Sequence, residues 1–252
     1  APFLPNGLRV NFTTHLASKP YIDMTLTMLE SLGVKHVWQG DSVQISHVAI
    51  EPREINIGAD WSAASYWYSI AFLADEAEIT LRGLQDDYTQ GDRVVADWMK
   101  RFGVLTQFTA EGAVLTKTKV EYPMVMKLNF KDNPDLAQTF AAMFAAKNII
   151  CTFSGLDSLK IKETDRVLAL QQELRKIGVR FDYSDMYEFY QLKGTYTPST
   201  KPFATYSDHR MAMAFAPLAL LGEISLDDAS VIDKSYPSFW QHLTQAGFVV
   251  SA

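Results

Sequence analysis

The sequence predicts an α/β fold assembled from repeated units of about 70 residues. Three observations carry that expectation. An amphipathic helical pattern ends four times in an apolar-Gly-apolar triplet: Leu32-Gly33-Val34, Phe102-Gly103-Val104, Ile177-Gly178-Val179 and Ala246-Gly247-Phe248. Each reads as a glycine C-cap that hands the chain on to a strand. Roughly 40 residues upstream of the last three glycines an aspartate opens another helix: Asp60, Asp135 and Asp208. Between the two stations lies a β-like run, Glu78 to Leu81, Ile149 to Phe153 and Ile224 to Leu226. A unit therefore reads helix, strand, turn, helix, strand, close to a βαβαββ element.

The two helices of a unit differ in kind. The first of each, WSAASYWYSIAFLA, LAQTFAAMFAA and HRMAMAFAPLALL, is apolar on nearly every side, which predicts burial all round. The second, such as VVADWMKR and VLALQQELRK, keeps a polar face for water. The first helices are thus expected to pack together inside, with sheets and second helices outside. Pro217 is expected to kink its helix near the middle. The first glycine, Gly33, has too little chain before it for a complete unit. The expectation is a truncated form of a longer protein, jointed just before Gly58-Ala59-Asp60, with residues 1–57 the tail of one domain and 58–252 three units of another.

Composition bounds the function. The chain has 252 residues, 48% of them hydrophobic, enough for a substantial core. Its longest nearly apolar run, Met211 to Leu221, is too short to span a bilayer, and the start APFLPNGLRV has no basic leader before an apolar block. Cys151 is the single cysteine, so no internal disulfide forms and a reducing cytoplasm is expected, with Cys151 a small buried hydrophobe. A net charge of −6 gives no general attraction for nucleic acid, so an anionic ligand must meet a local basic cluster. No glycine-rich phosphate loop of the Walker or dinucleotide type is present.

Such a cluster exists between Ser158 and Gly178, where Lys160, Lys162, Glu163, Asp165 and Arg166 stand together as an alternating segment (Leu159, Ile161) gives way to an amphipathic helix. A base in the first turn of a helix is unfavourable unless an anion is held there, or unless Glu163 and Asp165 neutralise it. In equivalent units, equivalent turns gather at one end. Lys162, Arg166, Arg210 and Lys234 would then form a cation cluster holding Asp135 and Glu163, fit for a multiply charged anion and for proton transfer. Plainer roles also fit: Asp60, Asp135 and Asp208 as N-caps, His209 as a core hydrogen-bonding group, Lys234 as a solvated charge. No second histidine lies at metal-ligand spacing from His209.

Four separated motifs bear a resemblance in order: Ser18-Lys19-Pro20-Tyr21-Ile22-Asp23, Lys162-Glu163-Thr164-Asp165-Arg166, Asp208-His209-Arg210-Met211-Ala212-Met213, and Lys234 shortly before Pro237. Ser62-Ala63-Ala64-Ser65-Tyr66 and Pro134-Asp135 add to them. Together they resemble the 5-enolpyruvylshikimate-3-phosphate synthases, members of the enolpyruvyl transferase family. The resemblance implies two lobes, each of three βαβαββ units around buried helices in an inside-out α/β barrel, with substrates in the cleft between. This chain would be a remnant of the first lobe, one partial unit (1–57), plus a nearly complete second lobe (58–252).

It also implies transfer of the enolpyruvyl group of phosphoenolpyruvate to the 5-hydroxyl of shikimate 3-phosphate, with release of phosphate, on the shikimate pathway to aromatic amino acids. By resemblance, Asp135 is the acceptor of the hydroxyl proton and Glu163 the acid near the methylene carbon. Arg166, His209, Arg210 and Lys234 are implied for phosphoenolpyruvate, and Ser18, Tyr21, Asp135 and Lys162 for shikimate 3-phosphate. No cofactor, metal, nucleic acid or membrane is implied, and the full-length protein is expected to be a cytoplasmic monomer. Ser158 departs from the family, many of whose members have Asn or a larger residue there. The chain alone is expected to bind weakly and turn over poorly or not at all. The rivals are a UDP-N-acetylglucosamine enolpyruvyl transferase and a non-catalytic repeat module that binds a partner protein.

Overall fold

Three short strands, β1 (Leu8–Asn11), β2 (His36–Gln39) and β3 (Ser42–Ile45), make an antiparallel sheet in the order β1-β3-β2. Helix α1 (Lys19–Ser31) opens with Pro20 in its first turn, where a missing N–H costs nothing, and lays Leu26 against Val34, Val43 and Ile45 in a small core. The structure, a computed structural model, describes residues 1–14 and 16–251. Residues 46–60 run without helix or strand.

Beyond them, α2 (Trp61–Leu73) leads to β4 (Glu78–Arg82), α3 (Val94–Lys100), β5 (Val104–Thr109) and β6 (Gly112–Lys117), whose strands pair antiparallel in the order β4-β6-β5. Next come β7 (Val125–Asn129), α4 (Ala137–Ala146), β8 (Ile150–Ser154), α5 (Arg166–Lys176), β9 (Val179–Ser184) and β10 (Phe189–Gly194). Their sheet runs β7-β8-β10-β9, with β7 parallel to β8 so that Met126 faces Cys151, and the other pairs antiparallel. Helices α6 (His209–Phe215) and α7 (Phe239–Gln245) close the chain.

The first helix of each segment is enclosed, as its all-round apolarity predicts. Every residue of α4 is buried, and every residue of α2 except Ala63. Helices α2, α4 and α6 pack on one another, with Ser65 Oγ of α2 3.2 Å from Thr139 Oγ1 of α4. Helix α5 buries Val167, Ala169, Leu170 and Leu174 and exposes Leu168, the pattern of an outer helix. Cys151 is fully buried, and burial pushes its thiol up to about 12, which leaves it inert. Among the described residues no helix is long and apolar enough to cross a membrane.

Gly33, Gly103, Gly178 and Gly247 all have positive φ, 85°, 78°, 78° and 98°. At two of them space forbids a side chain as well: a Cβ on Gly103 would lie 2.3 Å from Thr118 O, and one on Gly178 2.5 Å from Thr195 O.

The structure corrects four expectations. Ile224 to Leu226 forms no strand: Leu226 makes one isolated parallel bridge to Phe203, and among the described residues no strand follows Gly247. Without a neighbouring strand to fill the ladder, β-propensity alone does not hold those runs extended. Pro217 ends α6 rather than kinking it; the chain continues as a 3₁₀ turn over Ala216–Leu220, because proline clashes with the carbonyl four residues before it. Leu159 and Ile161 lie in a 3₁₀ turn, Asp157–Ile161, where Leu159 is buried and Ile161 is exposed. Gly155, at φ 73°, turns the chain out of β8 before that segment can extend. Asp60 and Asp208 do cap their helices, accepting from Ser62 N and Arg210 N, but Asp135 sits inside a 3₁₀ turn, Pro134–Leu136, and caps nothing.

Candidate active site

Asp135 is free of capping because two arginines take it. Arg210 Nη2 donates to its Oδ2 at 3.0 Å and Arg166 Nη1 to its Oδ1 at 2.9 Å. Arg166, at the start of α5, turns inward rather than to solvent and is only 1% exposed. Its Nε donates to Asp208 Oδ2 at 2.6 Å and its Nη2 to Glu163 Oε2 at 2.6 Å. The helix start it occupies is stabilised by Asp165, whose Oδ1 accepts from Leu168 N. The unfavourable base at a helix N-terminus is therefore resolved by burial against three carboxylates from three separate segments.

Glu163 links that core to the surface. Its Oε1 lies 3.5 Å from Lys234 Nζ and 3.8 Å from His209 Nδ1. Burial pushes its carboxyl up, but a backbone hydrogen bond, Arg166, Lys234 and His209 together outweigh that and leave it below the usual range. Burial and the neighbouring Arg210 hold His209 below its ordinary value in spite of Asp208 and Glu163, and its buried Nδ1 has no hydrogen-bond partner. Burial works against the Arg210 charge, yet Tyr66, Asp135 and Asp92 around it raise its proton affinity, so it is a fixed cation.

The fold thus brings Asp135, Glu163, Arg166, His209, Arg210 and Lys234 into one network, open to water through Glu163 and Lys234, whose side chains are 32% and 51% exposed. Lys162 is exposed beside Glu163. Ser18 is left-handed at φ 56° and donates its N–H to Lys131 O, just before the turn that carries Asp135. Tyr21 reaches the network from α1: its buried hydroxyl has no hydrogen-bond partner and is held above its ordinary range by burial and by the charges of Asp92 and Asp135. Ser158, the departure from the family, has a buried Oγ without a partner. A cavity of about 1030 Å³ beside β4 and α7 is lined by none of these residues.

Sequence reasoning missed three participants. Asp208 pairs with Arg166 besides capping α6; Tyr66 Oη stands 3.5 Å from Arg210 Nη1; Asp92, 1% exposed, accepts from Ser62 Oγ at 2.5 Å. Two of them stand in stretches the sequence had singled out, Tyr66 in Ser62-Ala63-Ala64-Ser65-Tyr66 and Asp208 directly before His209-Arg210.

Residues 1–243 match the family model described as EPSP synthase (3-phosphoshikimate 1-carboxyvinyltransferase). A 3-phosphoshikimate 1-carboxyvinyltransferase of Bacteroides fragilis is 41% identical over 98% of this chain and 61% of its own length. One from Methanopyrus kandleri is 30% identical over 97% of this chain and 56% of its own length. The chain therefore spans about three fifths of the curated relatives it matches. EPSP synthase from Acinetobacter baumannii superposes with a TM-score of 0.71 at 18% identity, covering 99% of this chain and 59% of that one. The enolpyruvyl transferase NikO from Streptomyces tendae gives 0.64 at 17%, covering 98% and 56%. At such identities the superpositions speak for the fold alone.

Proposed function

This chain belongs to the EPSP synthase family, and on that premise we propose that it carries the proton-transfer and anion-binding groups for enolpyruvyl transfer from phosphoenolpyruvate to the 5-hydroxyl of shikimate 3-phosphate, with release of phosphate, on the route to aromatic amino acids. The observation that carries the reading is the single network joining Asp135, Glu163, Arg166, Arg210 and Lys234 from four stretches of chain.

In the addition step the hydroxyl O–H breaks, its proton passes to Asp135, its oxygen bonds C2 of phosphoenolpyruvate, and the double-bond pair takes a proton at C3 from Glu163. In the elimination step C3 returns that proton to Glu163, the double bond re-forms, and phosphate leaves with the C2–O pair, taking up the proton held by Asp135. Arg166 and Arg210 hold both oxygens of Asp135, which keeps the base aimed. Arg210, Lys234 and His209 face the anion. Arg166 reaches it only when the anion displaces Glu163, the most exposed of its three acids. That displacement removes the cations that hold Glu163 down, so its proton affinity rises as the ligand arrives. Lys162, Ser18 and Tyr21 are assigned to shikimate 3-phosphate. No cofactor enters these steps.

The same reading takes 1–57 as part of one lobe and 58–252 as another lobe of three βαβαββ units, in a cytoplasmic protein that is monomeric at full length. The 252-residue chain alone turns over poorly or not at all. Phosphate release by the complete gene product, assayed beside this chain, tests the reading. Release with shikimate 3-phosphate and not with UDP-N-acetylglucosamine is expected; release with neither acceptor overturns it.

A further inference from the structure

Two consecutive residues just before α6, Tyr206 and Ser207, are left-handed, each with φ 55°. Neither is glycine or asparagine, so each meets a Cβ penalty there, and such a pair persists only where the surroundings over-determine it. The surroundings are specific. Tyr206 Oη lies 2.7 Å from Glu173 Oε1 and 2.7 Å from Gln172 Oε1, both on α5. Glu173 is 1% exposed, and its Oε2 accepts from Ala204 N at 2.9 Å and from Lys176 Nζ at 2.6 Å. On the other flank Thr205 donates its N–H and its hydroxyl to Asp227 Oδ1, both at 2.9 Å.

Glu173 and Arg166 stand two turns apart on the same helix. Arg166 grips Asp208 while Glu173 grips Ala204 and Tyr206, so α5 holds the turn on both sides. The residues that turn delivers are His209 and Arg210. A turn relaxed to negative φ would rotate the start of α6 and lift Arg210 from Asp135.

We propose that Tyr206 and Glu173 are positioning residues: their hydrogen bond keeps the left-handed Tyr206-Ser207 turn in place, and the turn sets where His209 and Arg210 meet the anionic ligand. This rests on the reaction assigned above. Neither residue touches the reacting atoms, and their effect is on binding rather than on proton transfer.

The test uses the complete gene product with Tyr206→Phe, Tyr206→Phe/Ser207→Gly and a remote core control, Leu192→Val, reading kcat, both KM values and the unfolding midpoint. Tyr206→Phe should raise KM for phosphoenolpyruvate about tenfold while kcat and the KM for shikimate 3-phosphate stay within about threefold. Adding Ser207→Gly, which removes one Cβ penalty at φ 55°, should recover much of that loss. Leu192→Val should lower the midpoint without moving either KM. An unchanged KM for phosphoenolpyruvate in Tyr206→Phe, or all three constants drifting together as they do when the folded fraction falls, overturns the proposal. If the parent releases phosphate with neither acceptor, the reaction reading has failed by itself. Calorimetric titration of phosphoenolpyruvate into the same variants then decides: the same order of affinities supports the positioning role, and no binding to the parent, or equal binding throughout, overturns it.

Discussion

Arg166 Nε lies 2.6 Å from Asp208 Oδ2, and the two side chains are 2% and 0% exposed. A guanidinium buried this deeply is stable only with its charge matched, and the match comes from Asp208, Asp135 and Glu163. Removing the cation takes from buried Asp208 its only arginine and from Asp135 and Glu163 one partner each. Arg166→Met should therefore destabilise by about 3–5 kcal/mol in denaturant unfolding, and Asp208→Asn by less. The double variant should lose about 1–3 kcal/mol less than the sum of the singles, and strict additivity would show that the pair is not coupled.

Glu163 and His209 make stability depend on pH in the same direction. Both have folded values below their ordinary ones, 4.5 and 6.5, so the unfolded chain binds more protons in each window. The His209 contribution is complete above 6.5 and fades as pH falls through its folded value; that of Glu163 is complete above 4.5 and fades in the same way below it. Unfolding free energies should fall less steeply on acidification than in the parent, between pH 7 and 5 in His209→Gln and between pH 5 and 3 in Glu163→Gln. A parallel set of curves would contradict the assignment.

The glycines separate two costs. Gly33 has φ 85° with open space around a would-be Cβ, whereas Gly103 has φ 78° and Thr118 O in the way. Gly33→Ala should cost about 1 kcal/mol from backbone conformation alone, and Gly103→Ala distinctly more, compared by their denaturation midpoints. Equal losses would mean the chain yields freely at Thr118.

Lys117 gives a chemical readout. Its Nζ donates to Phe72 O, near the end of α2, and to Phe102 O, just past α3, and burial, with Lys147 nearby, brings its ammonium down to about 8. Competitive acetylation followed by peptide mapping should show Lys117 gaining reactivity with a midpoint near pH 8, and Lys147→Ala should move that midpoint upward. A midpoint in the ordinary lysine range would refute it.

Much of the framework was legible because it is local. Apolarity on all sides marked α2 and α4 as inner helices, and the triplets around Gly103 and Gly178 marked turns that the backbone confirms with positive φ. The charged stretch at Lys162 to Arg166 was conspicuous in an acidic chain. What stayed hidden depends on partners distant in sequence. Asp135 read equally well as a cap until Arg166 and Arg210 were seen on its two oxygens. Nothing in Tyr206-Ser207 announces a left-handed turn, since neither residue favours one and the force that imposes it sits on α5. Ile224 to Leu226 looked like a strand by composition and lacks the neighbours that would make it one.

In the proposed reaction, turnover depends above all on two carboxylates moving protons inside a cage of cations. Phosphate release from phosphoenolpyruvate and shikimate 3-phosphate by the complete gene product carrying Asp135→Asn or Glu163→Gln tests that most directly. Each variant should lose about 10²–10⁴ in kcat while remaining folded and still binding shikimate 3-phosphate. A folded variant of either kind that turns over at the parent rate would contradict it.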